Sequence, residues 1–212
     1  MSKIYIYKAF ERFWHWSQAA LIIFLAITGF EVHGSFHLFG YESSVIFHRY
    51  ASYALIVLII FAIFWHFTTG EWKQYIPTTK KLKEQIRFYS FGMFKGESHP
   101  TKRSELSKLN PLQRLIYLGF KLVLIPLTIL SGILYMFHKT IDKNDIVVIS
   151  DISLSSIASW HTLGGFLLMA FLIVHVYMTT TGTTLTSNIK SMITGFEEEE
   201  HEENNTQQNI KK

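Results

Sequence analysis

Five histidines lie within or at the ends of long apolar runs: His15, His48, His66, His161 and His175. Imidazole ligates transition metals and titrates near neutral pH. An ionisable group inside a hydrocarbon-length segment is costly and usually marks a ligand site or a proton path. Spacing sorts these options. His161 and His175 are 14 residues apart. Fourteen helical steps of about 100° return the second ring to within about 40° of the first, about 21 Å along the axis. Both rings then face the same neighbours at two depths. That suits two stacked cofactors. A mononuclear zinc site would need ligands a few ångströms apart, as in an i, i+4 pair. Haem iron takes two axial imidazoles from opposite sides of a plane, and facing helices of a bundle supply such a pair. Cysteine is absent. This excludes Cys-ligated iron–sulfur clusters, thiol nucleophiles and C-x-x-C-H haem attachment.

The elements that must carry these histidines follow from composition. Of 212 residues, 49% are hydrophobic and 17% charged, with 18 Phe. A soluble chain carries roughly 25% charge. Four apolar runs, about 16–33, 45–67, 112–137 and 157–178, are each long enough to cross a bilayer as a helix. The first is too long for a signal-peptide core and lacks an A-x-A-like site after it. It is read as a retained span. The expected fold is an all-α transmembrane four-helix bundle over residues 1–195, with residues 196–212 as a disordered acidic tail.

Basic residues orient the bundle. Lys3, Lys8 and Arg12 precede the first span. The 69–110 loop carries Lys73, Lys80, Lys81, Lys83, Arg87, Lys95, Lys102, Arg103 and Lys108. The first short connection has no Lys or Arg, and the other sets Lys139 and Lys143 against Asp142, Asp145 and Asp151. The positive-inside rule puts both termini and the long loop in the cytoplasm. The net charge of +4 is thus a topological signal, and no soluble basic face points to nucleic acid.

Chain direction then assigns depths. His48 opens the second span outside, level with His161; His15 opens the first span inside, level with His175. The expected haem pairs are His48–His161 and His15–His175. His66 also lies near the inner side and is the alternative to His15. A helix giving both His48 and His66 would set the haems about 27 Å apart by ligand rise, against about 21 Å on the fourth span, which favours His15. Arg12 is the candidate partner of a haem propionate. His33, His37 and His138 read as interfacial, and His99 and His201 as solvated. Trp14, Trp16, Trp65, Trp72 and Trp160 sit near span ends as an aromatic belt. Gly29, Gly132, Gly164 and Gly165 permit close approach of helices or of a porphyrin. Pro126 should kink the third span. Asn110 before Pro111 fits a helix cap. Within the loop, residues 80–91 read as an interfacial helix with Leu82, Ile86 and Phe88 against lipid.

Arg12, Phe13, Trp14, His15 and Trp16 opening the first span, His48 and Arg49 in the second, and the His161/His175 pair resemble the bacterial di-haem cytochrome b family. Its members are membrane subunits of thiosulfate reductases, formate dehydrogenases and nickel–iron hydrogenases. Gly70 to Pro77, Phe94 to Pro100 and Lys108 to Gln113 are most similar to the thiosulfate-reductase branch. The likeness covers about residues 8–182. It implies a four-helix bundle with two b-type haems on His15, His48, His161 and His175, leaving His66 unassigned. It also implies a bacterial inner-membrane subunit of a respiratory chain. Electrons would pass between quinone and an extracytoplasmic catalytic partner, the protein serving as the electron-transfer subunit of a quinone-linked oxidoreductase. Related formate dehydrogenase subunits place quinone on the inner side, which makes Asn110 and Gln113 quinone-site candidates. The competing classes are a free-standing haem oxidoreductase acting without a partner and a haem-free transporter with a histidine proton relay.

Overall fold

The computed structural model describes residues 3–97, 99–101, 104, 107–143 and 153–198. Lys102, Arg103, Asp145, Asp151 and His201 lie outside the described residues. Four helices are long and apolar enough to cross a membrane: Ala9–Val32, Tyr41–Thr69, Pro111–His138 and Leu154–Thr179. The last three contain the corresponding expected runs, extended at both ends; the first starts earlier than expected and ends at Val32, one residue short of the expected 33.

Helix α1 (Ala9–Val32) begins where the Glu11 carboxylate accepts the Lys8 N–H at 2.7 Å. This satisfies one of the orphan donors of a helix start. At its far end Glu31 is 2% exposed. One oxygen of Glu31 accepts the N–H groups of Leu38, Phe39 and Gly40 at 2.7, 2.8 and 2.7 Å. The carboxylate thus ties the turn to the start of α2 (Tyr41–Thr69), where the helix dipole also favours an anion. Gly70, at φ +76°, ends α2 in the left-handed conformation that glycine adopts without strain.

The 70–110 connection is built, with a 3₁₀ turn at Glu71–Tyr75 and a short helix α3 (Leu82–Arg87) that widens into a π-type turn at Phe88–Gly92. Its packing differs from the expected lipid-facing helix. Phe88 is buried in the loop's own core against His99, with ring centroids 4.8 Å apart, and Gln85 is fully buried. Ile86 is exposed. The Gln85 carbonyl accepts from Thr101 Oγ1 at 3.0 Å, so polar satisfaction fixes the inward face.

Asn110 caps helix α4 (Pro111–Gly119). Its side chain accepts from the Gln113 N–H at 2.8 Å, and the Gln113 side chain accepts from the Asn110 N–H at 3.1 Å. With Pro111 at the first position this is a capping box. A π-type turn at Phe120–Leu124 links α4 to α5 (Ile125–Lys143). Pro126 lacks an N–H, so it cannot close the regular ladder, and the widened turn is where the helix absorbs that loss. Helix α6 (Leu154–Thr179) starts with the Ser153 hydroxyl accepting from the Ser156 N–H at 3.2 Å.

The bundle consists of two hairpins. α1 packs along α2, and α5 along α6. At Gly164 a Cβ would collide with Thr128, so α5 and α6 approach too closely there for any larger residue. Val57, Phe61, Phe64, Leu122 and Ile173 point outward, as lipid-facing residues do. A short helix α7 (Ser187–Thr194) follows α6. Strand β2 (Phe196–Glu198) then pairs antiparallel with β1 (Lys3–Tyr5), with Tyr5 opposite Phe196. The expected boundary at residue 195 therefore moves. Ring packing of Tyr5 and Phe196 at 5.1 Å and the hydrogen bond from the Ile6 N–H to the Gly195 carbonyl at 2.8 Å order Phe196–Glu198. Residues 199–212 lie outside the described residues.

An ion cluster closes the same end of the bundle. Lys108, 4% exposed, donates to both Glu11 oxygens at 2.8 Å and to Glu71 at 3.1 Å, and Lys8 reaches Glu71 at 2.7 Å. We call this the loop end, and the end holding the 33–40 connection the turn end.

Candidate functional site

The four histidines meet as two pairs. At the turn end, His48 from α2 and His161 from α6 have ring centroids 6.1 Å apart. At the loop end, His15 from α1 and His175 from α6 are also 6.1 Å apart. An iron bonded at about 2 Å to a nitrogen of each ring sets the centroids roughly 6 Å apart. Among the described residues no three of His, Asp and Glu gather into a conventional metal cluster.

Hydrogen bonds select the tautomers at the turn end. The Thr28 hydroxyl gives its proton to the Phe24 carbonyl at 2.9 Å, and its oxygen lies 3.0 Å from His48 Nδ1. Having spent its proton, the hydroxyl accepts from Nδ1–H. His161 Nδ1 lies 3.0 Å from the Thr128 carbonyl, which can only accept. Both rings therefore carry the proton on Nδ1 and present the Nε2 lone pair, the form that binds a metal. Glycines leave room for them. A Cβ at Gly29 would lie 3.2 Å from His48 Cε1, and one at Gly132 would lie 2.9 Å from His161 Cε1. These observations fit a bis-imidazole haem.

The loop-end pair is held differently. His15 Nδ1 is buried with no hydrogen-bond partner. His175 Nδ1 lies 3.4 Å from the Tyr117 hydroxyl, a long contact. Phe171 stacks on His175 at 5.7 Å, and Phe120 stacks on Phe171 at 4.2 Å. Phe120 and Phe171 also line an apolar groove of about 390 Å³ with Ile116, Val123, Leu127 and Leu167, beside the π-type turn.

His66 stands apart from His175's partner position. Its Nδ1 donates to the Ala62 carbonyl at 2.6 Å, and Nε2 meets the Tyr75 hydroxyl at 3.3 Å. Arg12 lies one turn before His15, and its Nη1 donates to the Ile193 carbonyl at 2.6 Å. Trp16 Nε1 donates to the Met192 carbonyl at 3.1 Å, so both residues hold α7. Asn110 and Gln113 are engaged in the cap, and Asn110 Nδ2 donates to the Tyr89 hydroxyl at 3.0 Å.

Sequence reasoning missed Thr28, Thr128, Tyr117, Tyr75 and Lys121. Lys121 Nζ sits 3.4 Å from the Tyr75 ring centroid and 5.0 Å from that of Trp14. A charge inside an apolar run was signal enough to find it. Burial, then the Glu11 charge, pushes the Tyr75 hydroxyl well above its ordinary pKa. Glu71 is held below its usual carboxylate range: burial pushes it up, but hydrogen bonds from Lys8 and Lys108 outweigh that.

A bundle of four apolar helices with facing imidazoles at two depths defines a class, the multi-pass membrane cytochromes of the b type. The match to the prokaryotic cytochrome b561 family spans residues 6–195, and the chain belongs to that family. Similar proteins include the cytochrome YdhU of Escherichia coli (strain K12), 29% identical over 92% of this chain and 74% of its own length. A Ni/Fe-hydrogenase B-type cytochrome subunit of Bradyrhizobium diazoefficiens is 26% identical over 91% of this chain and 85% of its own. The Ni/Fe-hydrogenase 1 B-type cytochrome subunit of Escherichia coli (strain K12) is 24% identical over 91% and 89%. No solved structure matches the chain. The family makes the protein a haem b electron carrier of the membrane.

Proposed function

We propose that the chain is the membrane electron-relay subunit of a quinone-linked oxidoreductase and holds two b haems. Residues 1–198 would act as one four-span unit in a bacterial inner membrane, with the loop end in the cytoplasm. The single observation that carries the two-haem reading is the pair of facing imidazole couples, each with ring centroids 6.1 Å apart. His48 and His161 would hold one group, and His15 and His175 the other. A b haem supplies reversible one-electron exchange between ferric and ferrous iron. The chain's own residues do the rest. The Thr28 hydroxyl and the Thr128 carbonyl hold the Nδ1 protons that aim Nε2 at the metal. Gly29 and Gly132 clear space for the rings, and the apolar helix faces keep water away.

A catalytic partner is supported by relatives named as subunits of Ni/Fe-hydrogenases. Quinone use is supported by the apolar groove beside Phe171, whose ring stacks on His175. The test is a reduced-minus-oxidised visible spectrum of the purified protein with a haem-to-protein count. Two b haems per chain are expected. His161→Ala and His175→Ala should each lose one. If both variants keep the full count, the ligand assignment is wrong.

A further inference from the structure

We infer that Lys121 and Trp14 form the receiving site for a propionate carboxylate of the loop-end haem, and that His66, acting through Tyr75, positions Lys121. This rests on the two-haem reading above. Two independent observations support it: donors left open beside His15, and a charge balance that does not close without an anion.

Trp14 Nε1 and Arg12 Nε are buried with no hydrogen-bond partner among the described residues. A buried donor without an acceptor is costly, and native proteins nearly always satisfy it. Both residues lie within three positions of His15. Lys121 Nζ is 5.0 Å from the Trp14 ring centroid and 3.4 Å from that of Tyr75. Two aromatic faces hold the ammonium, and among the described residues it has no ion pair. Tyr117, one turn before Lys121, lies 3.4 Å from His175 Nδ1. Lys121 is thus tied to both loop-end ligands, to His15 through Trp14 and to His175 through its own helix.

Charge points the same way. Glu11 accepts from Lys108 with both oxygens, and Glu71 accepts from Lys8 and Lys108. The two carboxylates and two ammonium groups of that cluster cancel. Glu11 is the carboxylate whose field reaches Lys121, and its oxygens are already taken. Lys121 and Arg12 remain as two positive charges, and Arg12 Nη1 meets only the Ile193 carbonyl. An uncompensated charge away from water is strongly destabilising. A b haem brings two propionate carboxylates, hence two negative charges. An ammonium and an indole N–H are both donors to a carboxylate, and the bond from the ammonium is charge-assisted. Arg12 Nε remains for the second carboxylate.

His66 gains a role in this site without binding iron. Its Nδ1 donates to the Ala62 carbonyl, so Nε2 carries the lone pair and accepts from the Tyr75 hydroxyl at 3.3 Å. That bond fixes the ring whose face holds Lys121. Trp14 also packs edge-to-face on His66, with centroids 5.4 Å apart. One imidazole therefore supports both aromatic walls, which makes His66 a positioning residue.

The experiment is a ferrous-minus-ferric infrared difference spectrum of the purified holoprotein. Cells are grown with aminolaevulinate that is unlabelled or carries a heavy carbon isotope at its carboxyl group, which marks the haem propionates. Isotope-sensitive carboxylate bands should move in Lys121→Met and in Trp14→Phe, and return toward wild type in Lys121→Arg. Trp14→Phe keeps a ring for Lys121 and removes the N–H. Tyr75→Phe and His66→Ala should keep both haems and give one common, smaller shift that the double variant does not enlarge. A purely structural role would leave those bands in place. If Lys121→Met fails to fold, Trp14→Phe and Tyr75→Phe decide. One haem per wild-type chain would sink the two-haem reading and this inference with it. Two haems with isotope-sensitive bands unmoved in Lys121→Met, or with only isotope-insensitive bands moving, as Glu11 would give, would leave that reading intact and overturn this one.

Discussion

A histidine becomes a ligand through what its second nitrogen does. His66 illustrates the negative case. Its Nδ1 donates to a backbone carbonyl as that of His161 does, but its Nε2 meets the Tyr75 hydroxyl at 3.3 Å, and it is His15 that faces His175. His15→Ala should therefore lose one of two haems, and His66→Ala should keep both, measured as pyridine haemochrome per chain. The reverse pattern would exchange their roles. Glycines give a sharper test of the turn-end pocket. Gly132→Ala would bring a Cβ within 2.9 Å of His161 Cε1, whereas a Cβ at Gly165 meets nothing within 4 Å. Overpacking of this kind costs about 1–3 kcal/mol. We expect Gly132→Ala to lower turn-end haem occupancy and Gly165→Ala to leave it unchanged; equal occupancy in the two variants would refute the cradle. His161 and His175 were legible because helical periodicity puts residues 14 apart on one face, and His48 and His15 because chain direction sets their depths. Thr28 was not. A threonine within a helix ordinarily bonds back to its own helix, and Thr28 does so at Phe24. Its oxygen's second contact, on His48, belongs to a neighbouring helix that local pattern does not register.

At the scale of elements, polar anchors decide where helices start and stop. The Asn110–Gln113 cap was readable from Asn-Pro alone, and those side chains are now accounted for by the helix start. The loop was less readable. Its amphipathic pattern suggested a lipid-facing helix, but the buried Gln85 and the Phe88–His99 contact turn that face into the loop's own core. The ion cluster tying the loop to α1 brings together residues up to 97 positions apart, which no window of sequence contains. Its charge balance carries a pH prediction. Glu71 is held below its usual 4.5 in the folded chain, so it binds its proton more weakly folded than unfolded. The stability it contributes is fully present above about pH 4.5 and is lost as the pH falls through the lower folded value. Hydrogen exchange across 70–78 should accelerate over that acid window, and Glu71→Gln should flatten the dependence. An unchanged acid profile in Glu71→Gln would remove Glu71 from the account.

For the whole molecule, orientation reduces to a single choice. Lys8–Glu71, Lys108–Glu11 and Arg12–Ile193 join the N-terminal region, the long loop and α7 at one end, and β1 pairs with β2 there. Wherever the loop lies, both described ends of the chain lie with it. That common location was expected from the basic residues of the N-terminus and the loop. The strand pair that closes it was not, because three-residue strands carry too little alternation to be read from sequence. We propose that charge sets the side. The 33–40 connection has no Lys or Arg, whereas the loop is rich in both. A basic loop is retained in the cytoplasm. Because the chain has no cysteine of its own, a single introduced thiol reports without background. Ser35→Cys, on the exposed turn, should react with an impermeant maleimide in intact cells, and Lys83→Cys only after permeabilisation. Labelling at Lys83→Cys but not Ser35→Cys in intact cells would invert the molecule. The pair spacing and hydrogen bonds would stand unchanged, but His15 and His175 would then lie toward the outer surface and His48 and His161 toward the inner one.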